Sequence, residues 1–273
     1  MNRRLLRGLF YLVLLGGAIT FIYPFLWMVL GTIKPEIEIT TLRLLPSRVV
    51  FDSYQAVFSK IPIARAFLNS LLVASLVTSS VLVFSSLTGY ALSRLTFKGK
   101  ELLFSLVLFT MMMPFQITLI PMYILMVKFH WVDTYQALVV PGMVSAFGIL
   151  IFRQAFKAIP GDLIDSARLD GYTEVEILFR IVWPLSKPAL ITVGLITFVN
   201  TWNDVLWPII VIRDQTMMTM PQMVALFTVG GQAEAQLGNI LAAATLLAIP
   251  MVAAYLLFQR YFIESMATSG LKG

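Results

Sequence analysis

Cysteine is absent from this 273-residue chain. That excludes a disulfide framework, a thiolate nucleophile and any Cys-based metal centre. Histidine occurs once, as His130 in a short connecting stretch, where a surface role is expected. A Ser–His protease working inside a membrane helix therefore has no base to use, and no metal-ligand spacing is present. The phosphate-cradling pattern G-x-x-x-x-G-K-[ST] is also missing, because the one Gly-Lys pair, Gly99-Lys100, is followed by Glu101. ATP hydrolysis by this chain is not expected, nor is any other enzymatic role or cofactor. Charge is scarce as well: Asp, Glu, Lys and Arg make up 12% of the residues, against roughly 25% in soluble domains. No Gly/Ser-rich linker, low-complexity tract or internal repeat divides the chain, so residues 1–273 read as one domain.

What fills the chain is apolar. Hydrophobic residues amount to 59% and the mean hydropathy is +0.86, values of a multi-pass membrane protein. Charge-free or nearly charge-free runs fall at residues 8–33, 66–93, 102–127, 134–152, 188–212 and 237–259, each long enough to cross a bilayer. The first is too long for a signal-peptide core and reads as an uncleaved helix. Pro114, Pro121, Pro141, Pro208 and Pro250 fall within these runs and mark expected kinks. Residues 217–229 are apolar but too few to span, which fits an interfacial or re-entrant segment. The expected fold is all-α, with six transmembrane helices. The net charge of +6 calls for no nucleic acid, since Lys and Arg cluster beside the runs. With six crossings and the N-terminus inside, 13 of the 20 Lys and Arg residues lie on the inner side. That excess places both termini in the cytoplasm.

One long polar stretch interrupts the apolar pattern between the fourth and fifth runs, over about residues 157–187. Asp162, Asp165, Arg168, Asp170, Glu174, Glu176 and Arg180 bar it from the hydrocarbon, yet it is written like folded structure. Asp162 suits an N-cap, Leu163, Ile164 and Ala167 share a helical face, and Gly171 stands where a left-handed residue ends a helix. Thr173 to Glu176 has the form of a capping box that starts a second helix, with Leu178, Ile181 and Val182 as its apolar stripe. A short helix, a glycine corner and a second helix would present one surface to something outside the membrane.

Polar residues inside the runs form a second set of candidates. Asn69 and Gln116 lie in the second and third runs, and either helix–helix hydrogen bonding or pathway lining suits them. Asn200, Asn203 and Asp204 cluster near Trp202 and Trp207 in the fifth. On one continuous helix the three would share a face, and amides offer both donors and acceptors to a hydroxyl-rich solute.

The stretch Asp165-Ser166-Ala167-Arg168-Leu169-Asp170-Gly171, followed by Phe179, Ile181, Pro184-Leu185 and Pro188, resembles the cytoplasmic EAA loop of binding-protein-dependent ABC importer permeases. Asp165 stands where that pattern has Glu, and Ser166 where it has the first Ala. Asn69-Ser70, Tyr90 to Arg94, Met113-Pro114, Ile120-Pro121, Trp202-Asn203, Trp207-Pro208, Gln259 to Phe262 and the terminal Gly270 to Gly273 extend the resemblance, in order, to the maltose-type branch of sugar importer permeases. The resemblance implies a permease subunit of an ATP-driven carbohydrate importer in a prokaryotic plasma membrane. It implies a cytoplasmic coupling helix at Asp165, Ser166, Ala167, Asp170 and Gly171, with Ala167 allowing close approach of the partner. It also implies a second homologous permease, an ABC ATPase dimer and an extracytoplasmic substrate-binding protein, all in a lipid bilayer. The alternative is a secondary transporter driven by an ion gradient, which would want charged residues deep in the spans and repeat-related broken helices.

Overall fold

Proline decides where several of these helices stop. The computed structural model describes residues 3–41, 43–231 and 236–270, with side-chain surroundings for residues 7–256 of these. Every regular element among them is helical. In order they are α1 (Arg3–Gly31), α2 (Glu36–Ile39), α3 (Asp52–Lys60), α4 (Ile63–Arg94), α5 (Lys100–Met112), α6 (Phe115–Lys128) and α7 (Tyr135–Val139). There follow α8 (Ala146–Lys157), α9 (Gly161–Leu169), α10 (Glu174–Ile177), α11 (Trp183–Leu185), α12 (Lys187–Trp202), α13 (Leu206–Val211), α14 (Met220–Val229) and α15 (Leu237–Gly270). The tail motifs at 259–262 and 270–273 lie outside the residues whose side chains are described.

By length and composition, four stretches cross a membrane as they stand: Arg7–Gly31, Ile63–Arg94, Tyr135–Lys157 and Leu237–Leu256. Two bent pairs, Lys100–Met112 with Phe115–Lys128 and Glu174–Leu185 with Lys187–Trp202, bring the number to as many as six, counting each pair as one crossing. The third run is no gently kinked span: α5 and α6 meet at 99°. Met113 is extended (ψ 119°) and Pro114 follows with ψ 134°, because proline disfavours a helical predecessor and has no N–H to continue the ladder. In the fourth, α7 gives way to a 3₁₀ turn at Val140–Gly142, and Ser145 restarts the helix by accepting the Gly148 N–H at 3.2 Å. The fifth run also divides: α12 starts at Lys187 beside Pro188 and ends at Trp202, with α13 separate. α14 has 10 residues, too few to cross.

The chain forms two compact units, Met1–Ala64 with Met223–Pro250, and Arg65–Gln222 with Met251–Gly273. In the first, α1 is apolar and almost wholly exposed over residues 8–26, a surface that lipid accepts without cost. The Glu36 carboxylate takes the N–H groups of Leu237 and Gly238, the latter at 3.0 Å, and so caps the start of α15. Lys34 is buried and its ammonium donates to the Arg43 carbonyl.

In the second unit, α4 packs closely on α8. A Cβ added to Gly89 would stand 2.7 Å from Phe152 Cβ, 3.0 Å from the Arg153 nitrogen and 3.2 Å from the Ile149 oxygen. One added to Gly148 would stand 3.1 Å from Ser85 Cβ. Small residues matter here because lipid is as apolar as the side chains, so close backbone approach and interhelical hydrogen bonds must hold the pair. Phe152 and Phe156, stacked at 5.4 Å and fully buried, fill the space beside the crossing.

Candidate functional site

The polar stretch after α8 folds as a helix–corner–helix. α9 runs from Gly161, with Pro160 rather than Asp162 at the N-cap and no side-chain cap; Asp162 lies in the first turn. The C-terminus of α9 closes as a Schellman motif. Gly171, at φ +85°, sends its N–H to the Arg168 carbonyl at 3.1 Å, and the Tyr172 N–H reaches the Ala167 carbonyl at 3.1 Å. Two residues later the capping box forms in both directions: Thr173 Oγ1 accepts the Glu176 N–H at 3.3 Å, and Glu176 Oε2 accepts the Thr173 N–H at 3.0 Å. The second helix does not stay α-helical, because Leu178–Val182 forms a π turn before Trp183.

The two faces of α9 differ sharply. Ile164 and Ala167 are buried against the chain's own residues, while Asp162, Asp165, Ser166, Asp170 and Gly171 are exposed. Ala167, expected to allow close approach of a partner, is buried within the chain and helps to seat α9. Leu169 is 90% exposed. It has no place on the Ile164–Ala167 stripe, being five residues on from Ile164, and this off-stripe position was the signal for it in the sequence.

An ion-pair network ties this element together. Arg168 donates to Asp165 at 2.8 Å and to Glu174 Oε1 at 2.8 Å, and Tyr90 at the end of α4 donates its hydroxyl to Glu174 Oε2 at 2.6 Å. The Arg168 guanidinium, helped by the Tyr90 hydroxyl and opposed by partial burial, holds Glu174 below its ordinary pKa of 4.5. Glu176 is lowered too, by the Thr173 N–H and hydroxyl. A carboxyl depressed on folding contributes stability that is present above its unfolded pKa and lost as pH falls through the folded one. The loop should accordingly keep its order from about pH 5 to 8 and loosen only below about 4. Hydrogen exchange at the Thr173 and Glu176 amides, corrected for intrinsic rate, measures this; loss of protection between pH 6 and 7 would contradict it.

A cavity of about 840 Å³ lies in the same unit. Asn200, Thr201, Asp204 and Ser145 supply its polar groups, among Phe115, Trp207 and other apolar side chains that include Met111 and Val77. Because α12 ends at Trp202, Asn200, Asn203 and Asp204 do not share the face that one continuous helix would give them. Asn200 and Asp204 still meet at the cavity, whereas Asn203 is exposed and its amide lies 3.9 Å from Met251 Sδ. Asp204 Oδ1 accepts the Trp207 N–H at 3.4 Å, across the break. Gln116 is exposed on α6, outside the lining residues.

Asn69 is absent from the residues lining the cavity and serves the chain's own packing. It is 3% exposed, donates to the carbonyls of Thr216 and Met218 at 2.9 Å each, and accepts the Tyr135 hydroxyl at 2.7 Å. Both amide N–H donors are thereby taken within the chain. Its tie to a segment nearly 150 residues away was invisible in the sequence. Among the described residues no cluster of His, Asp or Glu could hold a metal ion.

Comparison with known proteins matches this architecture. Residues 81–268, which include the helix–corner–helix, match the family "binding-protein-dependent transport system inner membrane component". The arabinooligosaccharides transport system permease protein AraQ of Bacillus subtilis (strain 168) is 34% identical over 99% of this chain and 96% of its own. The lactose transport system permease protein LacG of Rhizobium radiobacter is 31% identical over 98% of both chains. The trehalose/maltose transport system permease protein MalG of Thermococcus litoralis is 33% identical over 94% of this chain and 93% of its own. A chain in the crystal structure of a bacterial ABC transporter involved in the import of the acidic polysaccharide alginate shares the fold, with a TM-score of 0.82 over 96% of this chain and 98% of that one, at 24% identity. With its apolar crossings, its helix–corner–helix and these relatives, the chain belongs to the family of binding-protein-dependent transport system inner membrane components.

Proposed function

We propose that the chain is a permease subunit of an ATP-driven importer for a carbohydrate. It forms half of the translocation pathway with a second, homologous permease. α9, the Gly171 corner and α10 form the coupling element that docks on a cytoplasmic ABC ATPase, through exposed Asp165, Ser166, Leu169, Asp170 and Gly171. ATP hydrolysis belongs to that partner, and an extracytoplasmic binding protein delivers the substrate. Both termini and the coupling element are then cytoplasmic, a reading that the excess of Lys and Arg on that side supports.

The observation that carries the reading is the exposed face of α9: carboxylates and a large hydrophobe, Leu169, that is 90% exposed, on a short helix fixed at both ends. The relatives' substrates, arabinooligosaccharides, lactose and trehalose or maltose, support a sugar. The cavity suits one, because amide, hydroxyl and carboxylate groups beside Phe115 and Trp207 offer both hydrogen bonds and a flat apolar face to a pyranose. An ion-gradient carrier is not favoured by these relatives. The two separate cleanly in vesicles holding the complete importer. Uptake of labelled oligosaccharide should require internal ATP and survive ionophores that collapse ion gradients; uptake that ionophores abolish and ATP depletion spares would overturn the reading.

Within the cavity, Asn200→Ala should lower uptake roughly tenfold, the worth of one or two lost hydrogen bonds, with basal ATP hydrolysis retained. Asn203→Ala, whose amide faces Met251, should change uptake less than about twofold. Equal losses in both variants would show that this cavity is not the path.

A further inference from the structure

Among the six crossings, α4 is the one without a proline. Pro24 lies in α1, Pro114 and Pro121 at and after the break between α5 and α6, Pro141 between α7 and α8, Pro184 and Pro188 flanking the 89° bend before α12, and Pro250 in α15. Ile63–Arg94 is 32 unbroken residues, about 48 Å of continuous hydrogen-bonded ladder. A helix interrupted by proline bends at the interruption when pushed, whereas an uninterrupted one moves as a body.

α4 is also gripped at both ends and in the middle. At one end it holds the coupling element on both sides. Arg94 donates to the carbonyls of Phe156 and Ile159, just ahead of α9, while Tyr90 reaches Glu174, just after it, at 2.6 Å. Arg153 answers from α8 by donating to the Leu92 carbonyl at 3.2 Å, and Trp183 donates to Ser86 at 3.1 Å. Midway, Val77 lines the cavity, and a Cβ on Gly142 across from it would stand 3.2 Å away. At the other end, Arg65 and Asn69 both donate to the Thr216 carbonyl, Asn69 also to Met218, and Ser70 accepts the Met220 N–H at 2.7 Å. One rigid helix thus touches the coupling element, the cavity wall and the segment 213–220.

We propose that α4 is the rod that carries displacement of the coupling helix α9 to the cavity and to the segment 213–220, with Tyr90 and Arg94 as the positioning residues that fasten it to both ends of that helix. The proposal rests on the reading that α9 docks on the ATPase. Neither residue touches the ATPase or the substrate; each acts through the backbone or carboxylate it holds. A push on α9 that Tyr90 and Arg94 no longer transmit would be absorbed at the π turn or the bends at Pro114 and Pro188.

The test uses the assembled importer, trapped with MgATP and orthovanadate. The chain has no cysteine, so Gln215→Cys, on an exposed residue of the far segment, and Ser166→Cys, on the exposed face of α9, each take one environment-sensitive label. In the parent both labels should shift on trapping. In Tyr90→Phe, which keeps the ring against Phe156, the Ser166 label should shift as before and trapped nucleotide should be unchanged, while the Gln215 shift is largely lost. Arg94→Gln should weaken the shift by the same route. A full Gln215 shift in Tyr90→Phe and in Arg94→Gln, with the Ser166 label responding, would overturn the rod alone. A silent Ser166 label in the parent would instead overturn the docking reading beneath it.

Discussion

Leu169→Asp should abolish co-purification of the ATPase while leaving insertion and folding of this chain intact. Leu169 is 90% exposed at the last turn of α9. The hydrophobic contact of a Schellman motif falls to the residues around Ala167 and Tyr172, which leaves Leu169 with no work inside the chain. A leucine held out between Arg168 and Asp170 at a fixed corner has the character of an interface anchor. Removing such an anchor costs about 3 kcal/mol, or more than about 100-fold in affinity, and a carboxylate buried without a partner adds to that. Val229→Asp, at another residue that is 88% exposed, is the control and should leave ATPase association unchanged. Retained association in Leu169→Asp would remove α9 from the interface.

The second large effect is structural. Gly89→Val should destabilise the chain by about 3 kcal/mol or more, because overpacking here meets backbone atoms that cannot rotate away. The Arg153 nitrogen and the Ile149 oxygen stand 3.0 and 3.2 Å from the added Cβ, and Phe152 Cβ stands at 2.7 Å. Thermal unfolding of the detergent-solubilised complex should show a drop of roughly 10 °C. Gly16→Val in α1, where nothing lies within 4 Å of the new carbon, should leave the melting temperature unchanged. Equal stability in both would mean that α4 and α8 do not meet at Gly89.

Local chemistry made much of this molecule readable from the chain alone. Gly171 at positive φ and the Thr173–Glu176 capping box follow from what each residue does to its own backbone neighbours. The apolar runs follow from the cost of bare charge in hydrocarbon. What stayed hidden depends on where a helix ends or on partners distant in sequence. Proline at 114 announced a kink, but the 99° turn also needs the extended Met113 before it. The shared face expected for Asn200, Asn203 and Asp204 was lost when α12 stopped at Trp202. The partners of Asn69, the carbonyls of Thr216 and Met218, lie in a segment with no sequence sign of contact. Tyr90 and Glu174 are 84 residues apart, and no local pattern pairs them.

Cysteine crosslinking tests the central claim, that α9 and the Gly171 corner meet the ATPase, most directly. In an otherwise cysteine-free chain, Ser166→Cys should form a short-span crosslink to a cysteine placed in the ATPase cleft, and should stay unlabelled by an impermeant thiol reagent applied outside intact cells. Gln215→Cys should do the reverse on both counts. Crosslinking of the ATPase to Gln215→Cys, or labelling of Ser166→Cys from outside, would contradict the account.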